Sequence, residues 1–382
     1  MTGGNIEETK LLFILSSDYG ELFDAMSLVI GSRLNAVFLM PAALFSVNGT
    51  ALPYRTYRYN SASDIQSFID REKPDLALLF SGYLYAVNDI LDEESLERLL
   101  HAWHDRKLKV ATSDPFLGIM SAVEDDTFHD RHPQRARLKN HFSRISRLLQ
   151  DIVHIYHSTL AVRSAKQLSF FNRNIILQRS EILRHRNELL AWPAIDGSKD
   201  RWLFVLSPDD YAGRIANHGE DRFLELLSAR LQDAAAAGRQ PVLVAPRSCV
   251  DQIKTRAEGI GDMIAFSSCD FKLFMALLHD AEFVFYWNMF SATIVTRALN
   301  RMPFFLFDRG HLARAIKPFL AAAARQFYPD CQIEFLDEKD PLQPARLAIL
   351  AKAQEAGLFA PAYRNFSKSL SPEELIQEIV GR

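Results

Sequence analysis

Cysteine is scarce in this chain. The 382 residues include only three, Cys249, Cys269 and Cys331, and none of them belongs to a Cys-x-x-Cys pair. Such an odd and widely spaced set excludes a disulfide framework and a cysteine-rich zinc site, and it is typical of a reducing compartment. We therefore expect a cytoplasmic protein.

Long apolar runs and an excess of positive charge are missing as well. No apolar run reaches the roughly 18 residues needed to cross a bilayer, and the polar start MTGGNIEETK does not resemble a signal peptide. Lysine and arginine number 44 against 47 aspartate and glutamate, so the chain lacks the broad positive field of a nucleic-acid binder. We expect neither a transmembrane segment nor a nucleic-acid partner.

The short motifs of several common enzyme classes are absent too. The chain contains no GxSxG, Walker A or HExxH sequence, which excludes the nucleophile, phosphate-binding and zinc sites that those motifs build. His154 and His157 have no evident third ligand, so we expect no metal site.

What the sequence does have is an alternation of buried-strand runs and helical stretches. With 48% hydrophobic and 24% charged residues, the composition is that of a globular protein, and about 150 residues per domain gives two or three domains. Continuous apolar runs alternating with amphipathic stretches predict βα units and mostly parallel sheets with helices on both faces. The predicted strands are 10–16, 36–41, 75–81, 108–114 and 153–156, and then 201–207, 241–246, 263–267, 282–287 and 303–308.

The break between the two series predicts the domain organisation. Residues 193–200 have the proline, glycine and polar content of a linker. We predict an N-terminal Rossmann-like domain over 1–190, a linker over 191–200, a C-terminal Rossmann-like domain over 201–365, and a final helix over 366–382 that packs back. The expected fold class is α/β, with two doubly wound parallel-sheet domains facing a central cleft.

The most informative segment runs from Asp270 to His311. It contains a helix, the strand EFVFYW, the loop NMFS, a helix starting near Ser291, the strand PFFLF and the turn DRGH. Here the sequence resembles the C-terminal, donor-binding half of the GT-B glycosyltransferases. Two departures stand out. Thr296, followed by Arg297, occupies the position where many members carry a ribose-binding Glu. The loops SSDYGE and SPDDYAG, which follow the first strand of each half, hold one glycine each.

The resemblance implies that the chain transfers a sugar from a nucleotide-activated donor to an unidentified acceptor, which could be a glycan, a small molecule or a protein. The C-terminal half would hold the donor diphosphate at a helix N-terminus, without a cofactor or an essential metal. Arg247 could grip the diphosphate bidentately, and Asp308 could take the ribose-binding role. The residues expected to bind the donor are Arg214, Arg247, Asn288, Ser291, Thr293, Asp308 and His311.

An inverting transfer also needs a base for the acceptor hydroxyl. In this superfamily the base usually comes from the first domain, so the candidates are Asp18, directly after the first strand, and Asp114, after the strand at 108–114. Plain structural roles stay open for each: Asp18 as a helix cap and Asp114 as a turn residue. The stereochemistry of the transfer also stays open.

Two other readings of the whole chain remain. One is a sugar-nucleotide epimerase or hydrolase on the same plan. The other is a binding or assembly protein that has kept the fold and lost the chemistry, which the missing Glu and glycine-rich loops favour. For the latter, the basic helix predicted at 133–150 would be the partner or peripheral surface.

Overall fold

The chain forms two parallel β-sheets, each surrounded by helices. The computed structural model describes residues 8–16, 19–85, 91–113, 135–156, 166–193, 195, 197, 200–256, 260–289, 291–307 and 330–382. The described residues fall into two compact units, the first ending at Ile175 and resuming at Arg364, the second covering the residues between them.

The first unit contains a seven-stranded sheet in the order β3-β2-β1-β4-β5-β6-β7, with every pair parallel. Its central strands β1 and β4 are almost wholly buried, which explains their unbroken apolar runs. The strands are β1 Lys10–Ile14, β2 Asn35–Pro41, β3 Arg55–Tyr59, β4 Leu76–Leu79, β5 Lys109–Ser113, β6 Val153–Tyr156 and β7 Gln167–Ser169.

Helices with regular N-terminal chemistry connect these strands. The Ser61 hydroxyl caps one of them by accepting from the Asp64 amide, and Asp92 caps another by accepting from the Ser95 amide. The helices are α1 Tyr19–Val29, α2 Ala42–Asn48, α3 Ala62–Glu72, α4 Glu93–Asp105 and α5 Arg135–Leu149.

The second unit contains a six-stranded sheet in the order β10-β9-β8-β11-β12-β13, again parallel throughout. Its strands are β8 Arg201–Val205, β9 Gln240–Val244, β10 Ile264–Phe266, β11 Phe283–Tyr286, β12 Phe304–Phe307 and β13 Phe335–Leu336. Its helices are α6 Arg179–Leu190, α7 Pro208–His218, α8 Glu220–Ala236, α9 Arg247–Thr255, α10 Phe271–Asp280, α11 Ala292–Leu299 and α12 Pro344–Gln354. The two doubly wound parallel sheets predicted from the sequence are therefore confirmed.

The unit boundary falls earlier than the predicted linker, because α6 belongs to the second unit. This helix packs on α10, where the rings of His185 and His279 stack with centroids 5.7 Å apart. Arg186 Nε lies 3.2 Å from Asp280 Oδ1 at the same contact. The linker predicted at 191–200 therefore follows the first helix of the second unit.

The C-terminal segment belongs to the first unit. α13 (Ala360–Phe366) precedes it, and α14 (Pro372–Gly381) ends the chain. Leu370 bonds the backbone on both sides of β7's end: its amide donates to Ser169 and its carbonyl accepts from Phe171. None of the helices formed by the described residues is long and apolar enough to cross a membrane.

Candidate functional site

The strand order reverses once in each sheet, and the loops at that point are the first place to look for a ligand. In the second sheet the reversal lies between β8 and β11, which are neighbours paired from Phe283 with Trp202 to Tyr286 with Val205. Open α/β sheets bind ligands outside the carboxyl ends of the strands at such a switch point. The loops there lead from β8 into α7 and from β11 into α11.

The N-terminus of α11 has no negative charge of its own. Ser291 occupies the N-cap position but makes no side-chain capping bond, and the first turn contains no acidic residue. Its hydroxyl lies 2.7 Å from Thr293 Oγ1, and Thr293 in turn donates to the Tyr286 hydroxyl at 3.0 Å. Because the first amides of a helix point outward and carry partial positive charge, this end can receive an anion.

The neighbouring α7 begins differently. The Ser207 hydroxyl accepts from the Asp210 amide at 3.1 Å, and the Asp210 carboxylate accepts from the Ser207 hydroxyl at 2.6 Å. Burial raises the pKa of Asp210 to about 6, and Asp209 adds a second acidic group to the same turn. This helix end is occupied by its own side chains, so an anion at the switch point would meet α11 instead.

Arg297, which follows Thr296, has a structural role. Its side chain is 1% exposed, and its guanidinium donates to the carbonyls of Leu278, Ala281, Glu282 and Pro303. Burial lowers the pKa of Arg297 to about 10, so the group stays charged at neutral pH. It joins the end of α10 to the start of β12. Thr296 bonds the carbonyl of Ala292 within its own helix at 3.4 Å.

Arg214 is also buried, at 1% exposure. Its Nη1 lies 3.7 Å from Glu338 Oε2. The same carboxylate accepts a bond from the Trp287 indole at 3.2 Å, and its other oxygen lies 2.7 Å from His218 Nε2. Arg214 thus faces a carboxylate inside the second unit.

The other predicted donor residues that the structure describes lie on two separate segments. Arg247 begins α9 with its side chain 86% exposed and its Nε 3.7 Å from Asp251, whereas Asn288 is half-buried in the loop after β11. Asn288, Ser291 and Thr293 lie together on one segment, and Arg247 follows β9, which flanks β8 on the other side. Asp18, Asp114, Asp308 and His311 lie outside the described residues.

The corresponding point of the first sheet, at the end of β1, is tightly bonded. The Glu21 carboxylate accepts from the Ser16 amide at 2.7 Å and from its hydroxyl. The hydroxyls of Tyr59 and Tyr85 donate to the carbonyls of Leu15 and Ile14. Burial, reinforced by Glu21, raises the pKa of both tyrosines, so they remain protonated. These groups fix the carboxyl end of β1, which precedes Asp18 in the chain.

Among the described residues, no group of three or more histidine, cysteine, aspartate or glutamate side chains could hold a metal ion. His154 bonds the Tyr83 hydroxyl through Nε2 at 2.7 Å and the Ile152 carbonyl through Nδ1 at 2.9 Å. Burial lowers the pKa of His154, which suits a neutral structural imidazole.

Solved structures with the same architecture decide the fold. The spinosyn forosaminyltransferase SpnP matches with a TM-score of 0.53 and 13% identity, over 98% of this chain and 100% of its own. The wall teichoic acid polymerase TagF matches at 0.54 and 11% identity, over 98% and 88%. The chain has the GT-B fold. A UDP-GlcNAc 2-epimerase from Methanocaldococcus jannaschii also matches, at 0.52 and 10% identity, over 98% and 100%.

These likenesses are confined to the fold. The three solved structures are 10–13% identical to this chain. They share the GT-B architecture, but their names give different activities. No protein-family model matches the chain, and no curated protein matches it either. The assignment of activity therefore depends on the residues at the switch point.

Two residues near that point were not anticipated from the sequence. Trp287 and Glu338 meet through an indole–carboxylate bond, although they follow different strands, β11 and β13. Glu338 follows a strand of only two residues, β13, which leaves no periodic signal. In the sequence, the change from an apolar strand to Trp287 and Asn288 is the signal for a buried polar contact at this point.

Proposed function

We propose that this protein is a glycosyltransferase that uses a nucleotide-sugar donor and binds the donor diphosphate at the N-terminus of α11. The observation that carries the proposal is the uncapped, acid-free start of α11 at the switch point of the second sheet. The self-capped start of α7 supports it by leaving one anion-receptive helix end beside that point.

The proposed chemistry follows from where charge develops. As the bond between the sugar and the diphosphate of the donor breaks, negative charge grows on the leaving nucleoside diphosphate, and oriented helix amides stabilise it without reorganising. Arg247, whose fork is exposed and follows the neighbouring strand β9, is the arginine proposed to add bidentate bonds. This device works without a metal ion. Asp18 and Asp114 are the bases proposed for the acceptor hydroxyl.

A second candidate is a GT-B protein that binds a partner and has lost catalysis. The observation that favours it is the replacement of a ribose-binding carboxylate by Thr296, whose hydroxyl bonds its own helix. The basic helix α5 would then be the partner surface. Part of its charge is already matched, since Arg144 Nη1 lies 2.8 Å from Glu93.

A third candidate, an epimerase or hydrolase, shares the donor site but needs no acceptor. The M. jannaschii neighbour, a UDP-GlcNAc 2-epimerase by name, shows that this fold supports such chemistry. All three candidates are separated by what happens to a bound nucleotide sugar.

The test is a thermal-shift screen against UDP, GDP, CMP, TDP, ADP and their common sugar conjugates, followed by product analysis. A ligand at about 100 times its dissociation constant adds roughly 2.7 kcal/mol to the stability of the folded state, which is readily measured. The transferase proposal predicts that one nucleotide raises the melting temperature. It also predicts that its sugar conjugate is consumed only when an acceptor is added.

Other outcomes point elsewhere. Conversion of the sugar nucleotide without any acceptor would indicate the epimerase or hydrolase. No shift from any nucleotide, together with partner capture that is lost on reversing the charge of Arg147, would indicate the binding protein. Arg147 is the appropriate position because it is exposed on α5 and its Nε bonds only the Ser143 carbonyl of its own helix among the contacts of the described residues.

A further inference from the structure

Glu338 makes a buried contact that joins α7 to the loop after β11 at the switch point. Its side chain is 3% exposed. The residue follows β13, in which Leu336 pairs with Phe307 of β12. One carboxylate oxygen accepts from Trp287, the first residue after β11, and lies 3.7 Å from Arg214 on α7. The other oxygen lies 2.7 Å from His218 at the end of α7.

We propose that Glu338 is a positioning residue that fixes the N-terminus of α11. Trp287 opens the loop that ends at Ser291, so holding its indole also holds the start of the proposed anion site. The ring is packed as well as bonded, with its centroid 4.7 Å from that of Phe307 and 5.9 Å from that of Phe223. The indole–carboxylate bond then selects one orientation within this apolar contact.

The charges around Glu338 explain why the position needs a carboxylate. Arg214 is buried on the same helix as His218, and a buried guanidinium without a counter-charge is costly. A carboxylate at 338 provides that charge and also accepts from Trp287, which ties α7 to the loop after β11. The inference deepens the proposed function, because it assigns a residue that shapes the same site without touching the donor.

The chain contains a matched control at the opposite, amino end of the strands of the same sheet. Trp202 in β8 donates its indole N–H to Glu282 at 3.0 Å, and Glu282 also bonds Arg239 at 2.6 Å. This is the same tryptophan, glutamate and arginine combination, but Glu282 precedes β11 and so lies at the amino end of the strands. It should contribute to stability without affecting the N-terminus of α11.

The experiment measures hydrogen exchange of the segment 287–299 in the full-length, ligand-free protein. Glu338→Gln removes the charge and Trp287→Phe removes the indole donor; Glu282→Gln and Trp202→Phe are their controls. Exchange in this segment should accelerate about tenfold or more in the first two variants, as expected for the loss of a hydrogen bond to a charged group. It should stay unchanged in the two controls, after correction for global stability measured in urea.

Pyrophosphate affinity provides the second readout. Pyrophosphate should bind about tenfold more weakly to Glu338→Gln than to Glu282→Gln or the wild type. If the wild type binds no pyrophosphate, the proposed donor site is wrong, while the exchange data still decide the role of Glu338. Unchanged exchange in Glu338→Gln and Trp287→Phe, or equal acceleration in the controls, would overturn the positioning role.

Discussion

The guanidinium of Arg297 donates to the carbonyl of Leu278 at 2.6 Å, near the C-terminus of α10. In the sequence, Arg297 stands beside the position where the family pattern places a ribose ligand. In the structure it holds together α10, the strand that follows it and the start of β12. Arg297 therefore has a structural role in this chain.

Replacing Arg297 by methionine should destabilise the second unit by about 3 kcal/mol or more. Methionine keeps much of the length but leaves four carbonyls without this donor, of which those of Leu278 and Ala281 are buried. Each unsatisfied buried group costs about 1–3 kcal/mol. Urea denaturation measures the change. Arg301→Met is the control, because Arg301 makes an exposed ion pair with Glu355 that is worth at most about 1 kcal/mol. Equal losses in the two variants would contradict the account.

The stability of the fold should fall on acidification because of His279. Its side chain is 5% exposed, neither ring nitrogen has a hydrogen-bond partner among the described residues, and it stacks on His185. Burial, together with His185 and Arg297, lowers the pKa of His279 to about 3. A free imidazole titrates near pH 6.5, so between those values the unfolded chain binds a proton that the folded chain excludes.

This contribution is complete above about pH 6.5 and is lost as the pH falls towards 3. For one proton, the free energy of unfolding changes by about 1.4 kcal/mol per pH unit. Between pH 5 and 7, the unfolding free energy should depend less steeply on pH in His279→Leu than in the wild type. Near pH 5 the two slopes should differ by about 1.4 kcal/mol per pH unit, the value that one proton gives. The control variant is His101→Gln, at an exposed position of α4. An unaltered slope in His279→Leu would show that the buried imidazole does not couple folding to pH.

Gly82 should resist substitution because of one neighbouring hydroxyl. A Cβ atom at this position would lie 2.6 Å from Thr112 Oγ1, and the Gly82 amide bonds that same oxygen at 3.2 Å. We expect Gly82→Ala to destabilise by about 1–3 kcal/mol, the usual cost of overpacking. The cost should shrink when Thr112→Ala is present, and the double-mutant cycle measures this coupling.

The comparison for Gly82 is Gly381→Ala in α14. Apart from its chain neighbours and its own helix backbone, no heavy atom of the described residues lies within 4 Å of the added carbon there, and alanine is the better helix former. Stability should stay level or rise slightly. A Gly82→Ala cost that persists undiminished without the Thr112 hydroxyl would mean that the backbone, and not this contact, demands glycine.

The central strands could be predicted from the sequence because they are buried on both faces. β1 and β8 appear as unbroken apolar runs for that reason. The edge strand β3 could not be, since Arg55 and Arg58 are exposed and interrupt the apolar pattern. The sequence of α7 resembles a polar loop because its buried side chains are Tyr211 and Arg214, so no apolar periodicity marks the helix.

The parts of the site that come from one stretch of sequence could be predicted, and the parts that depend on distant residues could not. Ser291 and Thr293 follow a recognisable strand, so their place at a helix start could be inferred. The environment of Arg214 could not, because its partner Glu338 lies far along the chain, after a strand of two residues. Contacts of this kind depend on tertiary packing and leave no local pattern.

The most direct test of the central claim is the nucleotide affinity of Ser291→Asp, measured by titration calorimetry with the nucleotide found in the screen. A carboxylate at this N-cap interacts favourably with the helix dipole, which stabilises the fold by about 0.3–1 kcal/mol. The ligand-free variant should therefore be as stable as the wild type or slightly more stable. The same charge should repel a diphosphate and weaken binding at least about tenfold. Ser61→Asp, at the N-cap of α3, is the control that should bind normally. Stability maintained with affinity lost in Ser291→Asp alone is the predicted result; undiminished affinity in Ser291→Asp would contradict a donor site at α11.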